Sequence, residues 1–306
     1  MEELRFDGKV AIVTGAGGQK PSLGRSHALF LASRGAKVVV NDLGVGPDGR
    51  SQVPANAAAV VEEIRAAGGE AVADINSVST QESAEAIVQT ALDVFGAVHI
   101  VVNNAGVALL APFDELSPGD VQRMMDVHMM GPIWMCRAAW PHMKRQHYGR
   151  IVNVGSTAMF GIYATAVYAA AKGGIYSFSR TLAVEGEDHG IKVNTLLPSA
   201  ATVAITHLQA DSNLTRQQME RPAELVSPIV GLLAHETCPC SGKAIEAGGG
   251  KAYDVVLGTT VGYESSDLTL EKLAANWEQV VDRSGVKIAP DTYTDLRMTL
   301  KPYTPA

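Results

Sequence analysis

Three residues near the middle of the sequence have the types and the spacing for acid–base chemistry on an alcohol or a ketone. Ser156 closely follows an apolar strand, 151–154, and Tyr168 and Lys172 lie in the helical stretch beyond it. Residues four apart share one face of a helix, so the phenol and the ammonium are expected side by side. An ammonium favours the phenolate and lowers the pKa of the tyrosine, while the serine can hold a substrate oxygen. The alternative is an ordinary helix with a solvated lysine.

A glycine-rich turn near the N-terminus predicts a binding site for phosphates. The apolar run 9–13 indicates a buried strand, and TGAGGQKPSLG (14–24) then opens a helix. Glycine lets the backbone approach a phosphate, and the helix N-terminus attracts the anion. The residues expected to contact a cofactor here are Gly15, Gly18, Leu23 and Gly24. A cofactor that supplies hydride removes the need for a metal at the serine and tyrosine, and no metal site is predicted.

Asp42 predicts which dinucleotide the turn binds. It ends the second strand, 37–40, and follows Gly24 by 18 residues, close to the spacing of the acid that binds the adenosine ribose. A carboxylate there accepts from the ribose hydroxyls and repels a 2′-phosphate, which favours NAD over NADP. The alternative for Asp42 is a cap of a turn or helix. Lys20, inside the turn, could reach the pyrophosphate or a 2′-phosphate, or could simply be solvated.

The alternation of apolar runs and helical stretches predicts an α/β doubly wound Rossmann fold with a mostly parallel seven-stranded sheet. The domain is expected to cover 1–250, followed by a C-terminal extension, 251–306, that packs on the same domain or on a neighbouring subunit. Further strands are predicted at 70–73, 98–102, 151–154, 191–197 and 243–246, and helices at 53–67, 80–94, 118–144 and 267–282.

Composition excludes several function classes. The net charge is −7 with no basic run, which argues against nucleic acid as a partner. No apolar stretch approaches the roughly 20 residues of a membrane span. The N-terminus has no apolar signal region, and three cysteines form no disulfide framework, so a cytoplasmic location is predicted. Cys238 and Cys240, without a second pair, are interpreted as an ordinary loop rather than a metal site.

The motifs together resemble those of the short-chain dehydrogenase/reductase family. The glycine turn, NNAG at 103–106, a serine at the fifth strand end and Y-x-x-x-K occur in the family's order over residues 7–250. Four further stretches look like the (3R)-hydroxyacyl-CoA dehydrogenase part of type 2 multifunctional β-oxidation enzymes and the related bacterial hydroxysteroid dehydrogenases. These stretches are VVVNDLG (38–44), RAAWPHMKRQHYGRI (137–151), AHETC (234–238) and ANW (275–277).

The resemblance implies a role for each matching position. Ser156 would polarise the substrate oxygen, Tyr168 would be the acid–base group, and Lys172 would lower its pKa and bind the nicotinamide ribose. His128 stands where most of the family has an asparagine whose backbone carbonyl holds a relay water; it is a relay position or a structural histidine. Other cofactor contacts are implied for Asp74, Ile75, Asn104, Ala105, Gly106 and Ala201. Asp74 alternatively caps the helix at 80–94.

The expected activity is NAD-dependent interconversion of a secondary alcohol and a ketone. The substrate implied by the resemblance is a (3R)-3-hydroxyacyl-CoA, with or without a steroid body; the alternative is a free 17β-hydroxysteroid. A catalytically silent NAD-binding sensor or scaffold is the alternative from another class. Apolar walls at Met159, Phe160, Ile162, Tyr163 and 107–110 suit such a substrate, or are core. The resemblance also implies a lid at 202–221 and a homodimer or homotetramer.

Overall fold

Strands and helices alternate along most of the chain, and the strands are short, nearly uninterrupted apolar runs. The computed structural model describes residues 3–44, 56–202 and 220–289. Every residue of the first strand is buried, as expected of a parallel strand covered by helices on both faces. The strands of the main sheet are β1 (Val10–Thr14), β2 (Lys37–Asn41), β3 (Glu70–Asp74), β4 (Ile100–Asn103), β5 (Gly149–Val154), β6 (Ile191–Pro198), β7 (Ala244–Gly248) and β8 (Lys251–Asp254).

The sheet has the order β3-β2-β1-β4-β5-β6-β7-β8, and its first seven strands are parallel. The predicted doubly wound, mostly parallel fold is confirmed. The predicted count of seven strands is wrong by one, because Lys251–Asp254 pairs antiparallel with β7. A tight Gly249-Gly250 turn, with both residues at positive φ, makes this hairpin possible. The boundary at residue 250 between the domain and the C-terminal extension stays a prediction. The sheet itself continues past residue 250 into β8.

Helices cover both faces of the sheet. The helices are α1 (Leu23–Ser33), α2 (Asn56–Ala66), α3 (Gln81–Phe95), α4 (Pro118–Met125), α5 (Gly131–Arg145), α6 (Ala166–Gly186), α7 (Ser227–Ala234), α8 (Leu270–Ala275) and α9 (Trp277–Val281). On one face α1, α2 and α7 bury residues against the strands, and on the other face α3, α5 and α6 do so. Ile12, at 0% exposure on β1, lies in the core of the second face.

Two predicted helices are interrupted. The helix predicted at 118–144 is helical throughout, but a π-helical turn, Asp126–Met130, separates α4 from α5. The helix predicted at 267–282 breaks at Asn276 into α8 and α9. Thr269 begins α8 by accepting a hydrogen bond from the Lys272 amide, as an N-cap does.

The segment 251–289 differs from the rest of the described chain, since none of its residues is buried. It carries β8, α8, α9 and a two-stranded ribbon of β9 (Gly258–Thr259) and β10 (Lys287–Ile288). Its large apolar side chains, among them Val261, Leu270 and Trp277, are mostly exposed. In the described part of the chain, no helix has the length and apolar character to cross a membrane.

Candidate active site

The predicted site residues gather at one edge of the sheet. Parallel strands end at the same edge, so Gly15, Asp42, Asn104 and Ser156, each of which follows a different strand, are brought together there. The order of connections reverses between β1 and β4, and open α/β sheets bind their ligands at such a reversal. The edge therefore offers one crevice for a cofactor and a substrate.

The glycine turn packs so tightly that its glycines admit no side chain. A Cβ on Gly24 would lie 2.3 Å from the Gly15 carbonyl oxygen, and one on Gly15 would lie 2.7 Å from the Ala105 Cα. Gly15 is also at positive φ, and Ser22 caps α1 by accepting from the Arg25 amide. The first amides of a helix have no partner within it, so they are available for phosphate. This close-packed cradle fits a dinucleotide.

Thr14 was not singled out in the sequence, yet it joins the two strands that flank the crevice. Its hydroxyl accepts hydrogen bonds from the amides of Asn104 and Ala105, each at 3.1 Å. The Asn104 side-chain amide in turn donates to the Thr14 carbonyl at 2.9 Å and the Gly15 carbonyl at 3.2 Å. The NNAG segment thus positions the glycine turn, because the Asn104 side chain holds the backbone of Thr14 and Gly15 in place.

Asp42 lies at the end of β2 and orders the turn from the other side. Its carboxylate oxygens accept from the amides of Gly17 and Gly44, both at 2.9 Å. A Cβ on Gly17 would lie 2.8 Å from the Asp42 Cβ. Asp42 as a whole is partly exposed, so it is not sealed off from the crevice.

Two cations of the described chain, Lys20 within the turn and Arg25 just after it, share one carboxylate. The Lys20 ammonium lies 3.6 Å from Glu63 on α2, and the Arg25 guanidinium contacts the other oxygen of Glu63. Glu63 was not predicted as part of the site. Its position means that the charge of Lys20 is partly neutralised before any cofactor binds.

Asp74 is buried and fully engaged within the chain. Its carboxylate accepts from the Asn41 side chain at 2.8 Å, from Thr90 at 2.8 Å, and from both amide groups of Asn76. Thr80, rather than Asp74, caps α3. The neighbouring Ile75 is 66% exposed, so of the two residues it presents the open surface at the end of β3. Contact of either with an adenine ring stays a prediction.

Ala201 follows the end of β6. Its amide donates to the Arg221 carbonyl at 2.8 Å, and Arg221 also donates to the Ser199 hydroxyl at 2.6 Å. The Ala201 amide is therefore already hydrogen bonded. The Ala201 carbonyl is the backbone group that could contact the carboxamide of a cofactor. Most of the predicted lid, 203–219, lies outside the described residues.

The structure brings Ser156 and Tyr168 together. The Ser156 hydroxyl lies close enough to the phenol to affect its pKa, and it accepts a hydrogen bond from the Ala158 amide at 3.1 Å. Burial raises the pKa of Tyr168 above its ordinary value, and the interaction with Ser156 lowers it. The net rise is opposite to the lowering predicted from Lys172, because removal of the phenolate from water outweighs the nearby donor.

Lys172 is buried beneath the tyrosine. Its ammonium donates to the Val154 carbonyl at 2.5 Å and lies 5.6 Å from the centre of the Tyr168 ring. Burial lowers the pKa of Lys172 to about 7 from its ordinary value of 10.5. A lysine in this state can gain or lose a proton near neutral pH.

His128 lies in the π-helical turn and contacts the same tyrosine. Its Nε2 is 2.8 Å from the Val107 carbonyl oxygen and 3.2 Å from the Val107 amide. Burial, together with the charge of Lys172, lowers the pKa of His128 to about 3, so the ring is neutral. A π-helical turn is uncommon and often marks a functional site. The histidine links the segment after β4 to α5.

The predicted apolar walls divide into core and surface. Met159 packs against the buried Tyr176 and Leu197, so it belongs to the core. The other side chains lie on two loops joined by the Ala111 amide, which donates to the Ala164 carbonyl at 3.2 Å. The large exposed apolar residues of these loops are Leu110, Phe113, Phe160, Ile162 and Tyr163. We call these five residues the apolar rim.

The comparison with protein families agrees with this geometry. A family model for short chain dehydrogenases matches residues 9–216, about two thirds of the chain. The chain belongs to the short-chain dehydrogenase family. Short-chain dehydrogenases are oxidoreductases, and the family and the Rossmann fold together imply a nicotinamide dinucleotide cofactor.

Two relatives and one solved structure show how far the likeness extends. The chain is 42% identical to a short-chain type dehydrogenase/reductase of Mycobacterium tuberculosis, over 92% of this chain and 96% of the relative. It is 41% identical to mouse peroxisomal multifunctional enzyme type 2, over 92% of this chain but only 38% of the mouse protein. A short-chain dehydrogenase from Mycobacterium avium matches with a TM-score of 0.75 and 34% identity, over 90% of this chain and 94% of that one.

Proposed function

We propose that this short-chain dehydrogenase oxidises a secondary alcohol to a ketone, reversibly, with NAD. The observation that carries the proposal is the grouping of Ser156 and Tyr168 beside the buried Lys172, whose ammonium lies 5.6 Å from the centre of the phenol ring. Because the two hydroxyls lie together, both can reach one substrate oxygen. The nicotinamide, when bound, accepts or returns a hydride.

Ser156, Tyr168 and Lys172 each have a separate role in moving the proton of the substrate hydroxyl. Ser156 holds the substrate oxygen, and Tyr168 takes its proton during oxidation or donates one during reduction. Lys172, with a pKa near 7, can accept that proton or favour the phenolate by its charge. Its ammonium is directed by the Val154 carbonyl, two residues before Ser156, so β5 places both the lysine and the serine. His128 holds the tyrosine ring from the side.

Two features support NAD rather than NADP. The Asp42 carboxylate is fixed at the end of β2, where a 2′-phosphate would meet a negative charge. Among the described residues, the cations of the glycine turn and the helix after it, Lys20 and Arg25, are already paired with Glu63, so they are less able to attract that phosphate. The same crevice supports the other proposed cofactor contacts, which are made by the glycine turn, Asn104 to Gly106 and Ala201.

The proposed substrate is a (3R)-3-hydroxyacyl-CoA. The apolar rim supports a substrate with a large apolar part, since five exposed apolar side chains lie on two joined loops. The likeness to mouse peroxisomal multifunctional enzyme type 2 supports the thioester. A free 17β-hydroxysteroid would also suit the rim and is the second candidate.

The experiment is a comparison of NADH formation from (3R)- and (3S)-3-hydroxyacyl-CoAs and from 17β-hydroxysteroids, each with NAD and with NADP. We expect turnover of the (3R)-thioester with NAD. Activity on the steroid alone would leave the proton chemistry intact and change the substrate. Absence of turnover with every alcohol and both cofactors would overturn the proposed activity.

We also propose that the protein forms a homodimer or homotetramer. The support is the segment 251–289, which has defined secondary structure but no buried residue. Exposed apolar side chains at this density usually mark a contact with another surface. Light scattering of the purified chain tests this, and a monomer at all concentrations would contradict it. The cytoplasm remains the proposed compartment.

A further inference from the structure

A loop at the sheet edge opposite the candidate active site holds two cysteines on either side of Pro239. The loop, 235–243, joins α7 to the start of β7. Side chains from neighbouring strands bind its backbone: Arg150 donates to the His235 carbonyl at 2.9 Å, and Asn194 donates to the Cys240 carbonyl at 3.1 Å. Both strands begin at this edge, so the loop has a fixed position against the sheet.

Within this loop, the side chain of Cys238 turns toward Cys240. The Cys238 Sγ donates to the Cys240 carbonyl oxygen at 3.2 Å, which shows that the Cys238 side chain folds forward along the chain. Each thiol also shifts the pKa of the other, and in opposite directions. Residues two apart are separated by at most roughly 7 Å, and a curled chain shortens this toward the Cα spacing of disulfides, roughly 4.4–6.8 Å. The reduced pair is therefore placed for a bond between the two sulfurs.

The charges around the pair favour one thiolate and one thiol. The neighbouring Cys240 thiol lowers the pKa of Cys238, and Lys192 and Arg150 lower it further. The neighbouring Cys238 in turn raises the pKa of Cys240. A thiolate next to a thiol is the arrangement that thiol–disulfide exchange requires.

The two cysteines differ in their access to solvent. Cys240 is partly exposed, whereas Cys238 is 1% exposed. The third cysteine, Cys136, is also buried, and burial raises the pKa of its thiol to about 12. A reagent from solvent therefore reaches Cys240 first, and Cys136 is unreactive.

We propose that Cys238 and Cys240 form a thiol–disulfide exchange site whose oxidant is a small disulfide of the glutathione class. The Cys238 thiolate takes the proton of Cys240, and the Cys240 sulfur attacks one sulfur of that disulfide, forms a mixed disulfide and expels one small thiolate. That thiolate takes the proton from Cys238, whose sulfur then attacks the Cys240 sulfur and expels the second small thiolate. One cysteine thiolate and one cysteine thiol are oxidised to one disulfide, and one small disulfide is reduced to one thiol and one thiolate.

The test uses the folded full-length chain, reduced and then treated with oxidised glutathione. Intact mass and the number of thiols that can be alkylated after denaturation are measured, and a proteolytic map locates the change. We expect a loss of two hydrogen atoms within the peptide that contains residues 238–240, and a fall from three free thiols to one. Dithiothreitol should restore all three.

Variants assign the steps. Cys240→Ser should resist glutathione, since Cys238 is buried, and Cys238→Ser should retain a glutathione adduct on Cys240. Cys136→Ser is the matched control and should lose both remaining thiols as the wild type does. Three free thiols in the treated wild type, a lasting glutathione adduct, or a disulfide between two chains would each overturn the proposal. Modification of Cys238 in Cys240→Ser would overturn the order of attack.

Discussion

The imidazole of His128 packs edge-on against the phenol ring of Tyr168, with ring centroids 4.9 Å apart and planes at 86°. Edge-to-face packing fixes the orientation of an aromatic ring. The same imidazole is hydrogen bonded to Val107 through Nε2, so its own position is set by the backbone after β4. The relationship makes His128 a positioning residue for the proposed acid–base group.

His128→Ala should lower kcat with a smaller effect on the KM for NAD. The substitution removes the contact with Tyr168 and leaves the Val107 backbone without its partner, which costs about 1–3 kcal/mol for a buried group. When that free energy is lost from the orientation of Tyr168 that supports turnover, kcat drops by roughly tenfold or more. His142→Ala, on α5 outside the crevice, is the matched control. An unchanged kcat in a folded His128→Ala protein would contradict the role.

Tyr168→Phe should abolish nearly all turnover while NADH still binds. The phenol is the proposed proton carrier, and general acid–base groups contribute typically about 10²–10⁴-fold. Steady-state rates and NADH fluorescence titration measure the two effects separately. Tyr176→Phe, two turns further along the same helix, should retain activity. The role fails if Tyr168→Phe turns over at the wild-type rate.

The buried ammonium of Lys172 should impose a pH dependence on stability. Its pKa is lowered to about 7 in the folded chain and returns to about 10.5 on unfolding. Between these values the unfolded chain binds more protons, so this group makes the free energy of unfolding rise with pH and contributes no slope below the lower value. Urea denaturation of the wild type and Lys172→Met from about pH 6 to pH 9 measures the difference.

In that comparison, the wild type should become more stable relative to Lys172→Met as the pH rises above about 7. Lys144→Met, at an exposed position of α5, is the control and should keep the wild-type slope. Parallel curves for the wild type and Lys172→Met would show that the lysine is not held in a state that disfavours its charge.

Glu63→Gln should weaken the preference for NAD. The substitution leaves Lys20 and Arg25 without their shared carboxylate, and both cations can then attract a 2′-phosphate. We expect kcat/KM with NADP to rise by about tenfold, which corresponds to about 1.4 kcal/mol. Asp42→Ser should act in the same direction by removing the opposing charge.

The matched control for this prediction is Glu62→Gln, one residue earlier on the same helix. Glu62 pairs with Arg65 on the exposed side of α2, away from both cations. Its substitution should leave the ratio of NAD to NADP activity unchanged. Equal shifts in Glu62→Gln and Glu63→Gln would indicate a general effect of charge rather than the pairing described.

Local pattern predicted most of the fold. Buried parallel strands are continuous apolar runs, so β1, β2 and β6 could be found from the sequence within a residue or two. The eighth strand could not, since Lys251–Asp254 is wholly exposed and has no apolar run. The π-helical turn at Asp126–Met130 was also missed, because it keeps the apolar spacing of a continuous helix while shifting one hydrogen bond.

The site was predicted less completely than the fold. Spacing along one helix places Tyr168 beside Lys172, and the strand end supplies Ser156. The direction of the Tyr168 pKa was wrong, since the extent of burial is a tertiary property that no local pattern contains. Thr14 and Glu63 were missed for the same reason: their partners lie 90 and 38 residues away in the chain.

Transfer of deuterium from the carbinol carbon of a labelled (3R)-3-hydroxyacyl-CoA to NAD follows the proposed hydride step itself. We expect wild-type protein to produce NADH with one deuterium and the 3-ketoacyl thioester, and Tyr168→Phe to produce almost none. Unlabelled NADH, or equal transfer by both proteins, would contradict the proposed reaction and the role of the tyrosine.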